Sequence, residues 1–365
     1  MARPDNLAEW LRLTLTPGIG AERQRRLLAA FGPPERIFAA SHAAISQVIG
    51  GVLATRLLEA DLSAPVSSAL AWAGEDGHHL LTLDNPDYPK TLLDSPDPPA
   101  LLYAKGDPGL FERPALAMVG SRSATPQGLA TAKAFARAFS QARIAIVSGL
   151  ALGIDAAAHE GALEGDGKTI AVIGTGPDRI YPARNEKLAR EIARTGLIVS
   201  EFPLGTPPTA HNFPRRNRLI AGLSRGVLVV EAALGSGSLI TARLAAELGR
   251  DVFAIPGSIH SPLSKGCHRL IRDGAKLVDA VEDVLEELNL STWHAAPQHV
   301  EPHTTVVSAS FQDSEVLEAM GFDPVEGDLL ALRCGLTTDA LYAILLTMEL
   351  DGLVARLPGG RFQRL

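Results

Sequence analysis

Short apolar runs alternating with glycine-rich turns dominate the middle of the chain. Four runs, Ala117–Val119, Ile144–Val147, Ile170–Ile173 and Val227–Val230, are continuously apolar, and each ends in small or polar residues that open an Ala- and Leu-rich stretch. Strands buried on both faces need such runs, and strands alternating with helices imply right-handed βαβ crossovers in a parallel sheet. The pattern predicts helices over 128–140, 155–164, 184–195, 217–224, 238–248 and 266–273, with further strands at 197–200, 251–254 and 276–278. In such a sheet the turns after the strands gather at one edge, where ligands bind. Helix N-termini there present unpaired N–H groups that suit phosphate.

The flanks read differently. Residues 1–80 carry helical periodicity over 7–15, 22–31, 34–39, 43–49 and 54–58. Thr16–Gly20 reads as the turn of a helix-hairpin-helix, followed by Arg23, Arg25 and Arg26. Such a turn serves either to contact phosphate or only to join two helices. Residues 81–106, with Pro86, Pro89, Pro96, Pro98 and Pro99, predict an extended linker. A second linker, 291–310, holds His294, His299 and His303 without carboxylates or ligand spacing, which argues for a solvated tether over a metal site. Residues 311–365 predict helices at 311–320, 328–333 and 338–350 and a hairpin of 353–357 with 361–365, a winged-helix pattern. The segment 338–350 has no Arg, Lys, Asn or Gln with which to read base edges. This unit is therefore expected to face protein more than DNA.

Composition adds boundaries. The chain has 365 residues, 46% hydrophobic and 21% charged, as in soluble globular proteins. No apolar stretch approaches the ~20 residues of a membrane span, and the first residues lack the apolar core of a signal peptide. Cys267 and Cys334 are the two cysteines and form no CxxC pair. A cytoplasmic protein without a membrane partner, a metal or another cofactor is expected. The net charge of −7 conceals a segregation: Arg113–Lys276 carries an excess of cations, whereas the segments before and after it are acidic. A basic middle suits a polyanion.

Several motifs are weighed against simpler readings. Gly167-Lys168-Thr169 is no Walker A loop, because Gly161 is one residue too far away and the triplet precedes its strand. None of the four turns has GxGxxG spacing, which argues against NAD or FAD. Asp155 and His159 lie one helical turn apart and fit loop orientation better than acid–base work. Glu231, at a strand end before Gly235-Ser236-Gly237-Ser238, could handle a ribose or activate water. The richest stretches are Tyr181–Lys187 and His211–Arg218, which place cations, amides and aromatic rings at helix starts. Single-stranded nucleic acid needs that mixture, because phosphates pair with cations and bases stack on π faces. Arg in a first helical turn also opposes the helix dipole and calls for an anion.

Taken in order, Gly120-Ser121-Arg122, Ser148–Asp155, Gly174-Thr175-Gly176 with Tyr181-Pro182, Phe213–Arg218, Gly235–Ser238 and Ile255-Pro256-Gly257 resemble the DNA-processing protein A (DprA/Smf) family. Tyr88-Pro89, Pro98-Pro99, Leu102-Tyr103 and Gly106-Asp107 extend the resemblance over essentially the whole chain. The resemblance implies an α/β fold: a SAM-like helical domain (1–80), a linker (81–106), an extended Rossmann-like parallel-sheet core (107–290), a linker (291–310) and a winged-helix domain (311–365). It implies a non-enzymatic, sequence-nonspecific single-stranded DNA (ssDNA) binding protein that protects incoming strands and loads the RecA recombinase during natural transformation. Expected ssDNA contacts are Gly120, Ser121, Arg122, Ser148, Gly149, Gly174, Gly176, Arg184, Asn185, Lys187, Phe213, Arg215, Arg216, Asn217, Arg218, Gly235 and Ser236. Arg184 and Lys187 remain alternatives for one cationic position. Leu270, Ile271 and Leu277 are expected in a homodimer interface. A nucleotide-processing enzyme using Glu231, of the phosphoribohydrolase type, and a pure interaction scaffold are the competing readings.

Overall fold

The computed structural model describes residues 6–290 and 311–365. The linker 291–310, with its three histidines, lies outside the described residues, as do residues 1–5. Six helices open the chain: α1 (Leu7–Leu15), α2 (Ala21–Phe31), α3 (Pro34–Ala39), α4 (His42–Ile49), α5 (Gly51–Glu59) and α6 (Ser63–Ala73). The sequence pattern did not predict α6. Its Pro65 lies in the first turn, where a missing N–H breaks no helical bond.

The expected first linker is a correction. It holds the end of β1 (His78–Thr82), a short α7 (Lys90–Leu93) and β2 (Leu101–Gly106). These strands pair antiparallel with each other, and β2 pairs antiparallel with a core strand, so the segment extends the sheet. The prolines confine the irregular part to the loop between the strands, where Tyr88 Oη donates to the Pro99 carbonyl at 2.8 Å.

The core continues with β3 (Ala115–Val119), α8 (Pro126–Gln141), β4 (Ala145–Ser148), α9 (Ile154–Leu163), β5 (Thr169–Val172), α10 (Glu186–Thr195) and β6 (Leu197–Ser200). It closes with α11 (Asn212–Gly222), β7 (Gly226–Val229), α12 (Ser238–Glu247), β8 (Asp251–Ala254), α13 (Lys265–Arg272), β9 (Lys276–Leu277) and α14 (Val281–Glu287). The nine strands run β1-β2-β6-β5-β4-β3-β7-β8-β9, with β3 to β9 parallel. Chain order reverses at β3, which has β4 on one side and β7 on the other. A crevice opens at such a switch point. All of β3 is buried: Leu116 and Met118 face one helical layer, Ala117 and Val119 the other.

Helix α11 starts at Asn212, five residues before the expected start. Pro214 is tolerated inside it, because at the third helical position its nitrogen has no partner to lose.

The C-terminal unit holds α15 (Phe311–Met320), β10 (Val325–Glu326), α16 (Gly327–Cys334), α17 (Thr338–Leu350), β11 (Val354–Leu357) and β12 (Arg361–Arg364). Its sheet order is β10-β12-β11 around a separate apolar core. The fold is thus α/β with a helical N-terminal unit and a C-terminal winged helix. Gln363 Nε2 donates to Gln127 Oε1 at 3.0 Å, seating the winged helix beside the first turn of α8.

Candidate nucleic-acid interface

Four turns after parallel strands build one rim, and they interlock. Gly153 (φ +78°) packs on the backbone of Ser121 and Arg122, and the Ile154 N–H donates to the Ser121 carbonyl at 3.1 Å. A Cβ at Gly120 would lie 2.6 Å from Ile154 Cγ1, so the close approach of the first two turns requires glycine there. The Ser121 N–H donates to the Glu231 carbonyl at 2.7 Å, tying the turn after β3 to that after β7. Asn212 Nδ2 donates to the Gly174 carbonyl at 3.0 Å, tying α11 to the turn after β5.

Beneath the rim lies a buried polar network. Asp155 accepts from the Gly149 N–H at 3.1 Å and the Ala151 N–H at 3.4 Å. Burial pushes its carboxyl up, while the nearby Arg216 charge and those two amides pull it back. Arg216 is buried and its Nη1 donates to the Gly149 carbonyl at 2.6 Å and to the Val172 carbonyl. Burial draws its guanidinium down to about 10, which leaves it charged at neutral pH.

Thr169 Oγ1 donates to the Ile146 carbonyl at 2.6 Å, so it must accept from His159 Nδ1, also 2.6 Å away. His159 Nε2 then accepts from the Leu150 N–H at 3.3 Å, which fixes a neutral ring with its proton on Nδ1. Burial, assisted by Arg216, lowers the imidazole to about 3. Leu150, held this way, has φ +57°, an unfavourable backbone for a leucine. Asp155 and His159 therefore orient a loop, as the sequence suggested, but from the interior.

Part of the expected contact set shares this interior position. Ser121, Ser148, Gly149, Gly174, Gly176, Asn185 and Arg216 are buried, Ser121 at the wall of the cleft. Ser148 Oγ donates to the Met118 carbonyl at 2.6 Å, and Asn185 Nδ2 donates to the Leu150 carbonyl at 2.9 Å. The Ser148 hydroxyl, the Asn185 amide and the Arg216 guanidinium thus have partners inside the protein and hold the turns in place, while Arg216 still borders the cleft. Arg215 and Arg218 both pair with the buried Glu201, Arg215 at 3.0 Å, and Arg218 also reaches Asp97 at 3.2 Å. The anion called for by the arginines of α11 is thus supplied within the fold. Sequence reading missed Glu201 because its partners come from α11; its place directly after a strand, like that of Glu231, was the available sign.

What remains at the surface is smaller and sharper. Arg122 is exposed, with its guanidinium carbon 5.6 Å from the centroid of the Phe213 ring. Tyr181, 47% exposed, tilts against the other aromatic partner in that pair, its ring 5.7 Å from Phe213. Both rings line a cleft of about 720 Å³ at the switch point, together with Ser121, Arg122, Asn217 and Ser236. Nothing lies within 4 Å of where a Cβ would stand at Gly235, so the turn after β7 leaves its mouth open. Arg184 and Lys187 are exposed at the start of α10, and with Arg122 they make no ion pair among the described residues.

Two other expectations find their places. The helix-hairpin-helix turn does not stand free: Ile19, Gly20 and Ala21 border a small cavity against Leu101, Phe202 and Arg215 of the core. Two of its carbonyls accept from arginines, Pro17 O from Arg56 and Gly18 O from Arg23. Of the residues expected in a dimer interface, Leu270 and Ile271 are partly buried against their own core, whereas Leu277 is 46% exposed on the edge strand β9.

Residues 79–289 match the family model for DNA recombination-mediator protein A, and residues 301–360 match the DprA winged helix domain. Protein Smf of Escherichia coli (strain K12) is 42% identical over 301 residues, which span 81% of this chain and 80% of that protein. DNA processing protein DprA of Streptococcus pneumoniae is 52% identical over 200 residues, 55% of this chain and 71% of that protein. Among solved structures, DNA processing protein A from Streptococcus pneumoniae superimposes with a TM-score of 0.69 at 39% identity, covering 77% of this chain and 97% of that one. DNA processing protein A from Helicobacter pylori, described for its single-stranded DNA binding mode, superimposes with a TM-score of 0.54 at 36% identity, covering 59% of this chain and 98% of that one.

Proposed function

The chain belongs to the DNA recombination-mediator protein A family, and from that premise we propose that it binds single-stranded DNA without sequence preference, protects it, and delivers it to the RecA recombinase during natural transformation. One observation carries the reading: Arg122 stands beside Phe213 and Tyr181 at an open cleft, and among the described residues no carboxylate is paired to it. A guanidinium for phosphate and adjacent π faces for bases suit a single strand and favour no particular base. Arg184 and Lys187 continue the cationic path away from the cleft. The ssDNA binding mode described for the Helicobacter pylori relative supports the ligand, and the family's mediator description supports hand-over to a recombinase.

Binding without catalysis is part of the proposal. The carboxylate of Glu231, the candidate for a nucleotide-processing enzyme, accepts two hydrogen bonds from Thr125 and is not free to activate water. We also assign the winged helix to a protein partner. Leu346 and Leu350, 60% and 81% exposed, share the outward face of α17 with Asp339 and Ala343, and no cation stands there. A homodimer is proposed through the β9 edge, with Leu277 at its centre. Cysteines that form no disulfide, Cys267 buried and Cys334 half-buried, fit a cytoplasmic location.

Fluorescence anisotropy with labelled oligothymidine and a mixed-sequence oligonucleotide of equal length, over a series of salt concentrations, tests the reading. Similar affinities are expected, with Arg122→Ala weakening both and flattening the salt slope by ~0.7, one phosphate's worth. Unchanged affinity and slope would remove Arg122 from the interface. Release of free base from a nucleoside monophosphate by the wild-type chain would favour the enzyme instead.

A further inference from the structure

We propose that Glu231 is a positioning residue that holds the Arg122 turn at both of its ends. The inference rests on the ssDNA reading of the cleft and assigns a role to a group that touches no DNA. Glu231 follows β7, the strand beside β3, and its backbone carbonyl accepts from the Ser121 N–H at 2.7 Å, the start of the turn. Its carboxylate closes the other end: Oε2 accepts from the Thr125 N–H at 2.9 Å and Oε1 from Thr125 Oγ1 at 2.6 Å. Between those anchors stand Arg122, Ser123 and Ala124. A five-residue turn tied at both termini has few conformations left, so the Arg122 guanidinium is preorganised beside Phe213.

Three observations show that the site is built around the carboxylate. Thr125 also caps α8, accepting from the Gly128 N–H at 2.9 Å, so the turn and the helix share one anchor. A Cβ at Gly128 would lie 2.6 Å from each carboxylate oxygen, which explains a glycine inside a helix whose interior would favour alanine. The charge also sits at the positive end of a sixteen-residue helix. Burial pushes the carboxyl up, and the Thr125 hydrogen bonds counter it.

The test uses the full chain with labelled oligothymidine across a salt series, comparing wild type, Glu231→Gln, Thr125→Val, Arg122→Ala and the double variant Glu231→Gln/Arg122→Ala, with thermal melts alongside. Glutamine keeps the shape but puts an NH2 donor where one of the two accepting oxygens stood. Glu231→Gln is expected to weaken binding about tenfold, the scale of a hydrogen bond to a charged group. It should flatten the salt slope by the same ~0.7 as Arg122→Ala, and the double variant should bind little worse than Arg122→Ala. A purely structural role would lower the melting temperature and leave the slope alone. If Glu231→Gln does not fold, Thr125→Val, which leaves the carboxylate in place, answers the same question through the slope. A folded Glu231→Gln with wild-type affinity and slope, or full additivity in the double variant, overturns the proposal. Failure of wild type to bind oligothymidine overturns the ssDNA reading itself, and the two failures are distinct.

Discussion

The chain carries two units with architectures that commonly meet nucleic acid, and their surfaces differ in kind. The core rim exposes Arg122 beside Phe213 and Tyr181 at the cleft, and Arg184 and Lys187 at the start of α10, none of the three cations in an ion pair among the described residues. The winged helix exposes Leu332, Leu346 and Leu350 on its two outer helices, beside Asp339 and Glu349. A fold supplies a place for a ligand, whereas the exposed side chains decide which ligand. The rim also rests on a polar interior: Asp155, His159 and Arg216 bond the backbone of the turns and freeze them. The winged helix rests on an apolar core, and the buried polar side chain among its described residues is Gln363.

The comparison can be broken most forcefully at Arg216. Arg216→Ala would orphan the Gly149 and Val172 carbonyls and leave Asp155 without its counter-charge. A loss of about 3–5 kcal/mol in urea-unfolding stability is expected, where a surface contact residue would lose little.

The next largest effect is a pH dependence specific to the core. His159 titrates at about 3 in the folded chain against 6.5 when unfolded. The unfolded state therefore takes up the proton first as pH falls. The stability His159 contributes is fully present above about 6.5 and declines below it by about 1.4 kcal/mol per pH unit. Asp155, with its carboxyl raised, works in the opposite sense above the ordinary carboxylate range and offsets part of this near its lower end. Urea titrations at pH 7 and pH 5 measure the difference, and His159→Gln should abolish it.

A smaller change is expected at the surface of the rim. Lys187→Ala and Arg184→Ala should each leave melting unchanged, and the one that contacts phosphate should flatten the ssDNA salt slope by ~0.7. This settles which of the two cations carries the position. Smallest of all, Leu346→Glu with Leu350→Glu should shift stability within ~0.5 kcal/mol and leave oligothymidine affinity alone. Weakened ssDNA binding in that variant would place the winged helix on the same ligand and collapse the contrast.

Much of this molecule was legible along the chain. Strand and helix positions follow from local apolar periodicity, and 197–200, 251–254, 311–320 and 338–350 coincide with observed elements. Misreadings arose where the local pattern was ambiguous. The helix expected from 217 begins at Asn212, with Pro214 in its first turn. The prolines of 84–100 looked like a linker and form a loop between two strands of the sheet.

The sequence by itself determined the layering of strands and helices, the gathering of the turns at one edge, and the excess of cations in the middle of the chain. All of these depend on residue order and near neighbours. Only the tertiary structure decided which cations remain available. Arg215, Arg216 and Arg218 are adjacent in sequence and alike in chemistry. The carbonyls of Gly149 and Val172 hold Arg216 inside the protein, Glu201 and Asp97 draw in Arg218, and Glu201 also pairs with Arg215, which stays partly exposed. Arg122, Arg184 and Lys187 meet no such partner among the described residues and stay exposed. Charge availability is a property of the three-dimensional neighbourhood, because desolvation and pairing are set by groups that the chain order keeps far apart.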